Sequence, residues 1–537
     1  MLFGVLTALC SLPPALLFAQ VDTAWVRRYN GPGNSYDYPS SLAVDGQRNV
    51  YVTGCSIGSD SIYDCATIKY NPSGVEQWVA RYNGPANYDD YAEAIAVDGQ
   101  RNVYVTGESY GSGTFYDYVT IKYNANGVLQ WVARYNGPGN DWDVARSIAI
   151  DVQRNVYVTG ESRGSGTDLD YATIKYNSSG VEQWVRRYNG PGNDMDWARS
   201  IAIDVQRNVY VTGYSNGSDT SISYDYATIK YNFAGAEQWV ARYNGPGNGH
   251  DNAFSLTVDG QGNVYVTGLS IGSGTYYDFA TVKYNTNGVE QWVARYNGPG
   301  NDWDDASSIA VDGQGNVYVT GTSYGSGTSD DYATIKYNSS GVEQWVARYN
   351  GPANEWDMAN SLTVDGQGNV YVTGIPVTIK YNSSGVEQWV ARYNGQGNAN
   401  SIALDGQGNV YITGCSYSSG TAYDYATIKY VQTGAVAEEL STPDASRFTL
   451  NAEPNPFSSH TAIRYSLSAN RPTLNAECIT LKLYDISGRL AKTLVDEYKN
   501  PGNYQFTLNT TNLSAGVYFL SLQAEEKRII ERVIIIK

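Results

Sequence analysis

Along most of this chain, apolar and polar residues alternate in short runs separated by glycine-rich turns. The runs recur in a fixed order, and Ser307–Asn350 shows one complete set: "SSIAVD", "NVYVTG", "YATIKYN" and "EQWVARYN". Each run is rich in Val, Ile, Tyr and Thr, which suit a pleated, half-buried surface. None has the length or the caps of a helix. Between the runs lie "GQG", a long Gly/Ser loop, and "SSGV", where glycine permits the positive φ of a turn. One four-stranded antiparallel sheet is therefore predicted per unit.

The repetition is strict. "RYNG" begins at Arg28, Arg81, Arg134, Arg187, Arg242, Arg295, Arg348 and Arg392, at intervals of 53 residues, once 55 and finally 44. "VYVTG", or "VYITG" in the last copy, also occurs eight times. The two ends of the array are complementary. "TAWVRRYN" at Thr23–Asn30 has no "TIKY" before it, and the last "DYATIKY" has no "QWVARYN" after it. A ring must close or leave sheet faces wet and edges unpaired. The expected fold is therefore all-β: an eight-bladed β-propeller of four-stranded blades over residues 21–432. It would be closed by the N-terminal strand pairing beside Tyr425–Tyr430. Alternation sets Trp78, Ala80 and Tyr82 on one face and Val79 and Arg81 on the other, so the repeated Trp reads as core. The repeated Lys and Arg read as structural partners of the repeated Asp.

Charge narrows the partners. The chain carries −17 at pH 7, which disfavours nucleic acid and anionic membrane surfaces. Tyr (48) and Trp (12) abound, whereas the only His are His250 and His460, too few for His-based metal sites or a Ser-His-Asp triad. Residues 1–19 read as a signal peptide, the run being short, apolar and broken by Pro13 and Pro14. No later segment is apolar for long enough to span a bilayer. Cys55 and Cys65 flank one hairpin loop and form a candidate disulfide; chance substitution is the other reading.

In such a blade the "GQG" and "SSGV" turns share one tight face, and the long loops share the other. The long-loop face carries two repeated acids: the Asp of N-x-x-D (Asp37 to Asp357) and the Asp before the third strand (Asp64 to Asp424). Trp142, Trp197, Trp303 and Trp356 accompany the first set. The ligand-binding candidates are thus Asp143, Trp142, Asp196, Trp197, Asp304, Trp303, Asp357 and Trp356, because aromatic faces beside carboxylates suit sugar rings, and equally a protein surface. The alternative is local: Asp in Gly-rich turns commonly binds nearby backbone. No cofactor is expected. Calcium is the candidate ion, although the dense spacing of a calcium loop is missing. Unit seven reads "VTGIPVTIKY" (Val372–Tyr381), nine residues short, and the next inter-unit loop is four residues short. Both losses fall on the long-loop face and predict a notch.

From Val431 the pattern stops. Residues 433–447 read as a linker, and residues 448–537 as a small Ig-like β-sandwich with ten Lys/Arg against eight Asp/Glu.

Two resemblances rest on these motifs. "SIAVDGQGNVYVTG", "DYATIKYN" and "GPGNDWD" resemble the SBBP β-propeller repeat family; its name implies seven blades where the residues count eight. "PNPF" (Pro454–Phe457), "LYDISGRL" (Leu483–Leu490), "LSAGVYFLSL" (Leu513–Leu522) and the terminal strand ending at Lys537 resemble the type A C-terminal sorting domain of the type IX secretion system. That resemblance implies Pro454, Asn455, Pro456, Tyr484, Asp485, Gly488, Arg489, Gly516, Val517, Tyr518 and Lys537 as sorting-signal positions. It also implies export across both membranes to the cell surface or medium, with the type IX machinery as partner.

The expected function is an exported, noncatalytic binding or adhesion propeller with a glycan or protein ligand. An extracellular glycan-cleaving hydrolase or lyase and a purely structural surface repeat are the alternatives. A unique pair of inward-facing acids near the notch would favour the enzyme.

Overall fold

The computed structural model describes residues 20–217, 223–352, 354–393, 397–433, 448–467, 477–485, 490–511, 513–524 and 527–536. The expected signal peptide (1–19), most of the linker, and Gly488, Arg489 and Lys537 lie outside them. Strand β1 spans Gln20–Tyr29, and the first sheet is built from β2 (Asp37–Val44), β3 (Val50–Ile57), β4 (Tyr63–Tyr70) and β5 (Glu76–Tyr82) in that order. Six more sheets repeat this arrangement: Asp90–Tyr135, Asp143–Tyr188, Asp196–Tyr243, Asp251–Tyr296, Asp304–Tyr349 and Met358–Arg392. The eighth sheet orders Gly397–Leu404, Val410–Ser418 and Ala422–Thr433 with β1 on its outer edge. The first strand of each sheet lies against the first strand of the next, and that of the eighth lies against β2. The Leu42 N–H donates to Ser401 Oγ (3.4 Å) as the Leu362 N–H does to Ser308 Oγ (3.3 Å).

Recurrent side chains fasten neighbouring sheets to one another. Trp78 packs on Gly127 of the following sheet, where φ is +78° and a Cβ would lie 2.6 Å from the indole, so only glycine fits. Its Nε1 donates to the Ala125 carbonyl (3.2 Å). Trp25 of β1 makes the corresponding contact with Gly74 and donates to the Pro72 carbonyl (3.1 Å). The guanidinium of Arg81 pairs with Asp64 (2.8 Å), bonds Ser56 and reaches the Tyr29 hydroxyl (3.1 Å) on the preceding outer strand. Five further pairs repeat it: Arg134–Asp117, Arg187–Asp170, Arg242–Asp225, Arg295–Asp278 and Arg348–Asp331. Arg28 reaches the Tyr393 hydroxyl (2.7 Å).

The expected partnership of Lys with Asp does not hold. Lys69 donates to the Ala125 carbonyl (2.9 Å) and lies over the Tyr51 ring, because its strand position aims it at the next sheet's turn. Cys55 stands directly across the ladder from Cys65, and both are buried and unbridged in this structure. Burial pushes the Cys55 thiol up to about 12, which keeps it from forming the reactive thiolate. The short loops of unit seven do leave a cleft, lined by Pro376, Val377, Tyr393, Gly397, Asn398 and Cys415. It offers about 30 Å³, room for about one water.

The C-terminal module has two antiparallel sheets. Phe448–Glu453, His460–Leu467 and Gly502–Asn509 form one, and Glu477–Asp485, Leu490–Lys499, Gly516–Ala524 and Lys527–Ile535 form the other. Ile463, Tyr465 and Leu508 of the first share one core with Leu481, Leu520 and Val533 of the second.

Candidate functional site

The loops that lead into each first strand place the expected candidates in two different environments. Asp143, Asp196 and Asp304 are 0% exposed, and Asp357 is also buried. Each accepts the backbone N–H of the glycine six residues earlier, at 2.6 Å from Gly137, Gly190 and Gly298. These carboxylates hold the loop's return into the strand and offer nothing to solvent. The local reading of N-x-x-D is therefore correct at these positions. The indoles behave differently. Trp142 and Trp303 are exposed, and Trp356 is 71% exposed. Trp197 is partly covered, wedged between Tyr214 and Tyr224 at 4.9 and 5.4 Å between ring centroids.

Burial raises Asp90, Asp143, Asp196, Asp251 and Asp304 to about 6, against hydrogen bonds from Ser and Gly that pull them down. A carboxyl raised in the folded state contributes stability that is complete below its unfolded value and is lost as pH rises through the folded value. The repeat array is therefore expected to melt at a higher temperature at pH 5 than at pH 7. Asp143→Asn should flatten that dependence in a pH series of melting curves.

The loops and the strand ends beside them also assemble an aromatic ribbon that the sequence reading did not single out. Tyr417 meets Tyr423 (5.7 Å), Tyr423 meets Tyr38 (6.0 Å), and Tyr36 stacks on Tyr38 (6.0 Å, 16° between planes). The chain of rings continues through Tyr63, Tyr91 and Tyr116 to Trp142, with steps of 6.4, 5.5, 6.2 and 5.9 Å. It crosses the eighth, first and second sheets and reaches the loop entering the third. Tyr36, Tyr38, Trp142 and Tyr417 present exposed rings.

Beside the ribbon the near-identical units diverge. Arg146 bonds Glu161 (2.7 Å) and approaches Glu93 (3.4 Å). Burial lifts Glu108 to about 7; Arg146 pulls it back, and Glu93 and Glu161 push it up. Glu161 is buried, and its Oε2 has no partner among the described residues. Unique acids thus exist, but in the second and third sheets, away from the shortened loops of unit seven. Among the described residues, no group of three His, Cys, Asp or Glu is arranged to hold a metal ion, and no helix is long and apolar enough to cross a membrane.

Three of the expected sorting-signal positions make hydrogen bonds within the C-terminal module. The Asn455 side chain accepts the Ile534 N–H (2.8 Å), the Pro454 carbonyl accepts Thr461 Oγ1 (2.7 Å), and Tyr518 donates to the Ser514 carbonyl (3.1 Å).

Comparison with known proteins agrees with both halves of this description. The beta-propeller repeat family SBBP matches five stretches, residues 24–60, 77–113, 183–219, 238–274 and 291–327. The secretion system C-terminal sorting domain matches residues 453–537. The chain therefore carries β-propeller repeats and a type IX sorting domain, and the protein is secreted or held at the outer cell surface. An uncharacterised WD repeat-containing protein of Acanthamoeba polyphaga mimivirus is 24% identical over 421 residues, covering 64% of this chain and 28% of that protein. Among solved structures, PorZ, an essential surface component of the type-IX secretion system of Porphyromonas gingivalis, aligns over 95% of this chain and 70% of its own, with 14% identity and a TM-score of 0.40. A gluconolactonase from Xanthomonas campestris aligns over 53% of this chain and 85% of its own, with 15% identity and a TM-score of 0.31.

Proposed function

We propose that this chain of β-propeller repeats with a secretion-system sorting domain forms one closed, eight-bladed ring that binds an extracellular glycan. Delivery would be by the type IX machinery, with an Ig-like C-terminal sandwich as the signal that machinery reads. The aromatic ribbon from Tyr417 to Trp142 carries this reading. Sugar rings have apolar faces and polar edges, and a row of rings with Tyr36, Tyr38, Trp142 and Tyr417 exposed, beside the acids Glu93 and Glu108, matches that pattern over several residues of a chain. A protein ligand would use the same rings as hot spots, and adhesion follows from either.

The test is a glycan array and pull-down with the secreted protein. Trp142→Ala and Tyr38→Ala are each expected to weaken binding roughly three- to tenfold, while Trp303→Ala, outside the ribbon, has a smaller effect. Absence of saturable binding would leave only a structural repeat.

A second reading rests on Glu108, whose carboxyl is lifted by burial to about 7 beside Glu93 and Glu161, the range a general acid at a glycosidic bond would need. Release of new reducing ends from a bound glycan, abolished by Glu108→Gln with binding retained, would establish the enzyme.

A further inference from the structure

The opposite, tight-turn face is not uniform around the array. The turn after each first strand reads "DGQRN" or "DVQRN" in the first four units and "DGQGN" in the last four. Its fourth residue takes a positive φ in every unit: 66–68° at Arg48, Arg101, Arg154 and Arg207, and 77–83° at Gly262, Gly315, Gly368 and Gly408. An L-residue there costs roughly 1–2 kcal/mol, so each arginine occupies a conformation that glycine takes without strain. Each also makes one recurrent bond. Arg101 donates to Gln47 Oε1 of the preceding sheet (2.8 Å) and Arg207 to Gln153 (2.6 Å); Arg154 reaches Gln100 and Arg48 reaches Gln407 in the same way. Four inter-sheet clefts are thus strapped by a guanidinium.

Where glycine replaces arginine there is no strap. Between the sixth and seventh sheets the cleft holds a cavity of about 570 Å³, lined by Asp312, Gln314, Asn316, Lys336, Asp365 and Gln367, a volume within the range of ligand sites. Gln314 occupies the position that Gln47 has in the strapped cleft. Its Oε1 has one long contact, to the side chain of Asn316 in its own turn (3.4 Å). Although burial works against it, hydrogen bonds led by those from Asn316 and Asn369 hold Asp312 and Asp365 below the usual carboxylate range, so both are anions at neutral pH. The Lys336 ammonium is already committed to the Ser383 carbonyl (3.1 Å) and the Tyr318 ring.

We propose that the unstrapped cleft between the sixth and seventh sheets docks an arginine side chain of a partner protein, its guanidinium bonding Gln314 Oε1 as Arg101 bonds Gln47. Four sister clefts of the same molecule show which group this turn geometry accepts. The site is separate from the aromatic ribbon and independent of the glycan reading.

The probe is a labelled hexa-arginine peptide titrated by fluorescence anisotropy against the full secreted chain, with hexa-lysine and hexa-citrulline beside it. Hexa-arginine is expected to saturate and to outcompete both controls. Gly368→Arg, which grafts the strap, and Gln314→Ala, which removes the acceptor, should each weaken it about tenfold, the weight of one charge-assisted hydrogen bond. Gly99→Arg adds the same charge at a turn position with open space around it, beside a cleft already strapped, and should bind as the parent does. Trp142→Ala should do likewise. Equal binding by all variants, equal binding of arginine and lysine peptides, or no binding would overturn the proposal. Normal melting of Gly368→Arg and Gln314→Ala accompanies the expected result; if one melts early, the other decides.

Discussion

Trp25→Ala is expected to lower the unfolding free energy of the repeat array by about 3–5 kcal/mol, and deletion of Gln20–Tyr29 to abolish its cooperative fold. β1 is far from its sheet partners in sequence, yet it supplies the whole outer edge of the eighth sheet. Trp25 is buried, seated on Gly74 and bonded to the Pro72 carbonyl. Truncation forfeits that burial, leaves a cavity, and orphans a backbone acceptor. Removing the strand adds an unpaired ladder along Ala422–Thr433, an edge prone to pairing with another chain. Equilibrium urea unfolding of Trp25→Ala, with Trp389→Ala as comparison, checks the first claim. The seventh sheet's Trp389 is equally buried, but its Nε1 has no partner among the described residues, so its removal should cost less. Size-exclusion chromatography of the truncated chain checks the second. Identical midpoints for Trp25→Ala and the parent would refute the idea that β1 locks the array.

How much of this was legible beforehand differs by residue. The sheets were, because strand alternation and turn glycines repeat every unit and each choice agrees with the next. The role of "TAWVRRYN" was also legible, since a missing run at one end matched a surplus run at the other. Asp143, Asp196 and Asp304 were harder. The sequence places them in long loops but does not say that the loop folds back so that Gly137, Gly190 and Gly298 cover the carboxylates. The ribbon was missed for a related reason: Tyr38 and Tyr63 stand on non-adjacent strands of the first sheet and Tyr91 and Tyr116 on those of the second, and the two pairs meet, at Tyr63 and Tyr91, only when the sheets pack. Its signal was nonetheless present, in the tyrosine-rich loops "NSYDYP", "NYDDYA" and "GTFYDY". Glu93, Glu108, Arg146 and Glu161 carried a different signal, standing where otherwise near-identical units vary. A search for departures from the repeat would have found them, as it would have found the Arg-to-Gly change in the turns.

Deletion of Phe448–Lys537 is expected to leave the propeller folded but confined to the periplasm, with almost none reaching the medium or the outer surface. The sorting domain matches residues 453–537 of this segment, and in the structure its first motif is bonded to its last strand. The Phe457 N–H donates to the Ile534 carbonyl (3.0 Å), the Ile536 N–H returns a bond to the Phe457 carbonyl (2.8 Å), and Phe457 is buried in the shared core. "PNPF" at the start of the module is thereby tied to the last strand. Phe457→Ala removes about 3–5 kcal/mol from a module of under a hundred residues, where total stability is typically only about 5–10 kcal/mol. It should therefore reduce export severely without touching the propeller. Asn455→Ala, which loses one side-chain bond to Ile534, should reduce it less. Cell fractionation with immunoblotting reports the location, and a periplasmic pool that still melts like the parent propeller separates failed sorting from failed folding. Full export of the deletion, or of Phe457→Ala with its sandwich unfolded, would show that transport does not depend on this fold.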